Sequence, residues 1–206
     1  MTWSVSSTLP VGVDLEIEDA KILLREAIRA HRQKRSPREC QKAAAQIAEQ
    51  TAPMLEGVRC AAIYASRKHE PGTEALLELM HERGIRILMP VLGEGLSRDW
   101  ATYEPGEPLE VRAPGRPPEP PGPGIGEHAV AEADLVIVPA LSVDDDGCRL
   151  GQGGGWYDRV LGHVAQSTPV FALIYDDEFS DKPLPRAAHD HPVDGIITQT
   201  MVRRLR

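Results

Sequence analysis

Short apolar runs alternate with stretches of helical periodicity along this chain, and that alternation restricts the fold more than any other feature. Arg59–Ala65 and Ile85–Val91 read as strands, with a helix over Glu74–Arg83 between them and Thr73 at its N-cap position. Leu135–Val138, Pro169–Tyr175 and Val193–Ile197 are further buried-strand patterns, the last closing the sheet. A β-α-β succession implies a parallel sheet with right-handed crossovers, whose ligands sit beyond the carboxyl ends of the strands. Glu70 and Pro90 fall at such ends. At 206 residues the chain is expected to hold one α/β domain over 16–206, behind a loose polar tail at 1–15.

Two helices come before the first strand. One should start near Glu16–Asp19 and reach about Arg35, where Ser36-Pro37 breaks it; the other runs from about Arg38 to Leu55. On the first, Ala20, Leu24, Ala27, Ile28 and His31 make an apolar face beside a basic stripe of Lys21, Arg25, Arg29 and Arg32. A solvated face is the ordinary reading of any one of these cations. Lys21 and Arg25 sit at the edge of the apolar face, where a ligand is within reach. Asp99–Tyr103 reads as a short strand. Residues 105–123 carry eight prolines, which forbids a helix or central strand and suggests a rigid extended arm. A short helix is expected over Ile125–Ala133.

The stretch Arg149-Leu150-Gly151-Gln152-Gly153-Gly154-Gly155-Trp156-Tyr157-Asp158-Arg159 holds four glycines in five positions. Such a loop can bring backbone N–H groups against an anion. A helix opening at Trp156 and running to Val164 would put phosphate at its N-terminus, with the 135–138 strand upstream. The Walker pattern fails, because Gly155-Trp156-Tyr157 stands where Gly-Lys-Ser/Thr is needed, and the dinucleotide fingerprint fails on glycine spacing. Lys21, Arg25 and Arg149 can neutralise a polyphosphate, with backbone donors from 151–155. Asp158 and Asp190 can hold Mg²⁺, which asks a protein for only one or two carboxylates. A helix-terminal acid and a turn acid are the plain alternatives for that pair. Trp156 and Tyr157 can stack on a flat heterocycle, although a core role for one is also open.

Other patterns lead nowhere. Ser142–Gly147 mimics the start of a calcium loop but ends in Gly153 where glutamate is required, so it reads as a turn. His189 and His191 lack a third zinc ligand at metal spacing. Cys40, Cys60 and Cys148 are odd in number and widely spaced, which suits a reducing cytoplasm. A net charge of −8 argues against a general nucleic-acid grip, and no signal peptide or membrane-spanning run is visible. The residues alone describe a cytoplasmic Mg²⁺-nucleotide enzyme with a planar second substrate, acting on small molecules as a monomer or weak dimer.

The chain resembles the 5-formyltetrahydrofolate cyclo-ligase family over roughly 20–200. The marker is Val138-Pro139-Ala140-Leu141 followed at Arg149 by R-L-G-x-G-x-G-[YW]-Y-D-R. Lys21 and Arg25, Glu70-x-x-Thr73 with Ala65 before it, Gly115–Pro120 and His189-Asp190 are similar to other family segments. The resemblance implies a three-layer α/β/α sandwich around a mostly parallel, Rossmann-like sheet. It also implies ATP-dependent closure of 5-formyltetrahydrofolate to 5,10-methenyltetrahydrofolate with release of ADP and phosphate, through a phosphorylated formyl group. In that scheme Lys21, Arg25 and Arg149, Leu150, Gly151, Gln152, Gly153, Gly154, Gly155, Trp156 and Tyr157 face ATP. Ala65, Glu70 and 152–156 face the folate, and Asp158 and Asp190 hold Mg²⁺. Many members carry lysine where Gly154 stands, leaving Arg159, Lys68 or Arg149 to compensate. Two other readings stay open: a phosphate-handling enzyme on another planar substrate, and a non-catalytic nucleotide- or RNA-binding relative, which only the basic helix would favour.

Overall fold

A computed structural model of the chain describes residues 3–9, 15–93, 97–112, 117–187 and 190–206. Helix α1 spans Ile17–Arg32 and α2 spans Pro37–Thr51, ending in a 3-10 turn through Leu55. The break between them is a capping box. Ser36 Oγ accepts the Glu39 N–H, the Glu39 carboxylate accepts the Ser36 N–H, and Pro37 occupies the first helical position.

The strands of the main sheet are β1 (Cys60–Ala62), β2 (Arg86–Leu92), β3 (Arg98–Tyr103) and β4 (Leu135–Pro139). The small strands β5 (Ser142–Asp144) and β6 (Arg149–Leu150) come next, then β7 (Val170–Leu173), β8 (Phe179–Ser180), β9 (Gly195–Ile197) and β10 (Val202–Arg204). Helix α3 (Glu74–Glu82) joins β1 to β2, and the single-turn α4 (Trp156–Val160) follows β6. Seven strands form the main sheet in the order β10-β9-β7-β4-β1-β2-β3. The five inner strands are parallel, and each edge strand is antiparallel to its neighbour. A second sheet, β6-β5-β8, stands beside it.

Alternation along the strands builds two cores. Ala61, Ile63, Ile87, Leu135, Ile137 and Phe171 face α2 and α3, where Ile47, Leu76 and Met80 meet them. Ala62, Leu88, Val136, Val138 and Ala172 face the other way, toward Trp100, Val130 and Val160. This second outer layer is thinner than a sandwich of helices, being made of 3-10 turns at 127–132 and 161–163 with α4. A third, smaller core joins Leu24 and Ile28 of α1 to Leu141, Cys148, Leu150 and Leu184.

Several local expectations change. The sheet does not close at β9, because β10 folds back antiparallel along it and takes the edge. The 142–147 turn begins as strand β5, and Asp144 then organises it by accepting the N–H groups of Asp146, Cys148 and Leu184. Thr73 does not cap α3 through its side chain. Its Oγ1 accepts the Ser66 N–H and Ser66 Oγ accepts the Thr73 N–H, which pins the loop after β1. The helix after the glycine loop stops at Val160 and becomes a 3-10 turn. Among the described residues of the proline-rich arm, Glu110 and Glu119 form a bridged pair. Gly115, Arg116 and His189 lie outside the described residues. Among those residues no helix is long and apolar enough to cross a membrane.

Candidate active site

The order of strands reverses between β1 and β4: the chain moves from β1 outward to β2 and β3, then returns to β1's other side. A crevice beyond the carboxyl ends follows from that reversal. A cleft of about 710 Å³ lies there, lined by Tyr64 after β1, Val91 and Leu92 of β2 and Pro139 of β4. Helix α1 contributes Lys21, Arg25 and Arg29; the glycine stretch contributes 149–158; the proline-rich arm reaches in with Pro117 and Glu119.

The glycine loop leaves β6, not β4, and its conformation is set from outside. Arg25 Nε donates to the Gly151 carbonyl at 3.0 Å. The Arg29 guanidinium donates to the Gln152 carbonyl and to its Oε1, both at 2.9 Å. Gln152 Nε2 in turn donates to Glu70 Oε1 at 3.0 Å, so one side chain ties α1 to the loop after β1. Gly153 and Gly155 have φ of 101° and 59°, a region that side-chain-bearing residues rarely enter. Nothing lies within 4 Å of a Cβ built on Gly154, so there is open space where a side chain would begin. Helix α4 has five residues, too few for its dipole to dominate anion binding. Loop N–H groups and imported cations take that part.

Those cations are unequal. Lys21 is buried, with Nζ donating to Asp190 Oδ2 at 2.6 Å. Arg149 is buried and donates through one terminal nitrogen to Asp158, while its Nε and other terminal nitrogen have no partner among the described residues. Burial pulls its guanidinium below the usual arginine value, opposed by Asp158. Arg25 and Arg29 stand more open. Arg32, the fourth residue of the basic stripe, is buried. It forms a two-point pair with Glu178, 2.7 Å on each arm, and also donates to the Ala140 carbonyl. Burial opposes its charge, but Glu178 more than offsets this and holds the guanidinium above its ordinary value.

Glu70 is buried at the cleft wall. Its Oε2 accepts the Arg67 N–H at 2.9 Å, and its own carbonyl accepts the Tyr175 hydroxyl at 3.1 Å. Trp156 and Tyr157 line the cleft and also pack on the core, with Trp156 edge-on to Trp100 at 5.2 Å. Burial pushes the Tyr157 phenol up, so it stays protonated. Ala65 is the exception among the expected site residues, because its side chain packs in the core away from the cleft. Arg159 is exposed and outside the cleft lining, while Lys68 lines a side pocket of about 180 Å³ next to it.

Among the described residues no three His, Cys, Asp or Glu side chains gather as a metal cage. Of the carboxylates that line the cleft, Asp158 and Asp190 are the two aspartates, each in an ion pair. That set fits an ion that takes most ligands from phosphates and water. Sequence reasoning missed Tyr64, Arg98 and Glu119 in the wall. The strand-end rule reaches Tyr64, one residue before Ala65. Arg98 enters only through the β2–β3 register that sets it opposite Leu92, and Glu119 through its acceptance of the Leu92 N–H.

A sequence model of the 5-formyltetrahydrofolate cyclo-ligase family matches residues 17–199. The chain belongs to the 5-formyltetrahydrofolate cyclo-ligase family. It is 39% identical to the Mycolicibacterium smegmatis cyclo-ligase over 145 residues, covering 68% of this chain and 73% of that one. The Escherichia coli cyclo-ligase matches at 27% over 180 residues, 85% of this chain and 98% of the relative. The solution structure of Aquifex aeolicus 5,10-methenyltetrahydrofolate synthetase superposes with a TM-score of 0.70 at 27% identity, over 90% of this chain and 93% of that one. The Mycoplasma pneumoniae synthetase shares the fold at 20% identity, with a TM-score of 0.66 over 87% and 98% of the two chains. The mostly parallel seven-stranded sheet is thus the cyclo-ligase architecture, and the chain is a ligase of this family.

Proposed function

We propose that this protein closes 5-formyltetrahydrofolate to 5,10-methenyltetrahydrofolate, using ATP with Mg²⁺ and releasing ADP and phosphate. Residues 16–206 act as one domain in this reading. The observation that carries it is Arg149: a buried guanidinium, two of whose nitrogens lack hydrogen-bond partners among the described residues, in the same cleft wall as the glycine loop. A buried cation satisfied on one side is costly until an anion completes it, and a phosphoryl group matches the guanidinium fork.

Lys21, Arg25 and 149–157 then face ATP, while Glu70 and 152–156 face the folate. Ala65 contributes only its backbone, its side chain being spent on the core. The formyl oxygen attacks the γ-phosphorus, and the new O–P bond forms as the bond to ADP breaks. The bridge nitrogen attacks the activated carbon and gives up its proton, and phosphate departs with the C–O bonding pair. Little covalent chemistry falls to the protein in such a scheme. Positioning and charge neutralisation carry it. Arg149 and Lys21 supply fixed positive charge in a site where burial strengthens it, and loop N–H groups add directional donors. Asp158 and Asp190 would hold Mg²⁺, which supplies further neutralisation of the phosphates when bound.

Mixing the purified protein with 5-formyltetrahydrofolate, ATP and Mg²⁺ should raise the methenyl absorption, and omitting ATP or chelating Mg²⁺ should abolish it. Intact nucleotide binding without any chromophore would remove the cyclo-ligase reading and leave a binding protein.

A further inference from the structure

Tyr64 lies two residues beyond the carboxyl end of β1, and it lines the cleft. It is 2% exposed, yet its hydroxyl has no hydrogen-bond partner among the described residues. A hydroxyl shut off from water and left unmatched costs the fold stability, so its persistence at a cleft wall needs a reason. Packing alone would be served as well by phenylalanine. Tyr157, the other cleft tyrosine, has no such unmatched buried hydroxyl.

Burial and Glu70 define what Tyr64 can offer. Burial, with the charge of Glu70 adding to it, pushes the phenol well above its ordinary value, so the group is always an O–H. Glu70 is an acceptor; the Gln152 amide now donates to its Oε1. A carboxylate that accepts and a hydroxyl that donates, both in the wall of one cleft, can complement a lactam edge, –NH–C(=O)–, in which the N–H and the carbonyl oxygen are adjacent. The pterin of a reduced folate carries that edge at N3–H and the 4-oxo group. ATP's adenine presents the reverse at the matching position, an amino donor.

We propose that the Tyr64 hydroxyl donates to the 4-oxo group of the pterin, beside Glu70, and so selects the lactam form of the ring. This rests on the folate reading given above. Glu70 takes the N–H of the edge while Gln152 yields its place. Tyr64 is then a specificity residue, and the stability it forgoes in the free enzyme is recovered when substrate arrives.

Tyr64→Phe removes one oxygen at constant shape, and it has opposite effects on two readouts. The free variant melts about 2–4 °C higher than wild type, because an unmatched buried group is gone. Its KM for 5-formyltetrahydrofolate rises about tenfold, with KM for ATP unchanged. Wild type also prefers the 4-oxo ring over the otherwise identical 4-amino analogue in direct binding, and the variant loses most of that preference. A higher KM for ATP, an unaltered 4-oxo preference, or a lower melting point with both KM values unchanged would each overturn the assignment. If wild type binds 5-formyltetrahydrofolate without forming product, the cyclo-ligase reading fails while the binding comparison still decides Tyr64. If wild type binds no folate, both fall.

Discussion

Arg149→Ala should lower kcat/KM for ATP by about 10²–10³ while leaving the fold intact. The loss is large because Arg149 is not a surface cation. Its side chain is 3% exposed, and only one of its three nitrogens is engaged, by Asp158. The other two are buried donors without hydrogen-bond partners among the described residues, held in place for a phosphate oxygen that a small opening of the glycine loop would admit. Stability should change little, because Asp158, the partner left behind, is partly open to solvent and can be hydrated. Arg149→Lys keeps a charge but loses the planar fork, so it should recover only a small part of the activity. Steady-state kinetics with ATP varied, together with a thermal melt, check this. Turnover that survives in Arg149→Ala would remove the residue from the site and with it the main support for the ATP reading.

The second large effect falls on stability. Arg32→Met strands Glu178, which is fully buried and also accepts the Tyr175 N–H. Breaking a buried pair by removing one member costs about 3–5 kcal/mol. The double variant Arg32→Met/Glu178→Leu should recover much of that, since neither charge is then left alone. The single variant has a signature in pH. Burial already raises the Glu178 carboxyl against the opposing charge of Arg32, and losing Arg32 removes that opposition. The native state then holds a proton that the unfolded chain has lost, so stability is greatest in acid and falls as pH rises through the carboxylate range. Denaturant melts at a series of pH values test this. A single variant as stable as the double one, or with the opposite slope, would contradict the account.

Sequence periodicity located the parallel strands well, because runs such as Leu135–Val138 are buried on both faces and leave no other reading. It placed the glycine loop and the cations correctly at one end of the sheet, but for a partly wrong reason. The expected helix N-terminus proved to be a single turn, and the loop is held instead by Arg25, Arg29 and Gln152. Contacts between residues 25 and 151, or 152 and 70, are set by tertiary packing and leave no mark in local spacing. Arg32 illustrates the same limit. Its helical position is shared with Lys21 and Arg25, yet its partner, Glu178, lies 146 residues on. No periodicity separates a cation that binds ligand from one that anchors a helix. β10 was invisible because three residues ending in Arg203-Arg204 look like a solvated tail, and their pairing with β9 is an edge contact.

Helix α1 belongs to neither of the cores that sandwich the main sheet. Its apolar side rests on a small cluster with Leu141, Cys148, Leu150 and Leu184, and it brings Lys21, Arg25 and Arg29 to the cleft. Such an arrangement can open as a unit while the strands beneath stay folded. The catalytic pocket would then vanish and reform without global unfolding, and any molecule bridging α1 to 149–155 would act as a staple. Amide exchange across 17–32 should therefore be fast relative to β1, β4 and β7 in the free protein, and should slow sharply with nucleotide bound. Equal protection of α1 and the central strands in the free protein would argue against it. On this view the protein carries its own means of releasing product: occupancy of the cleft sets how often α1 opens.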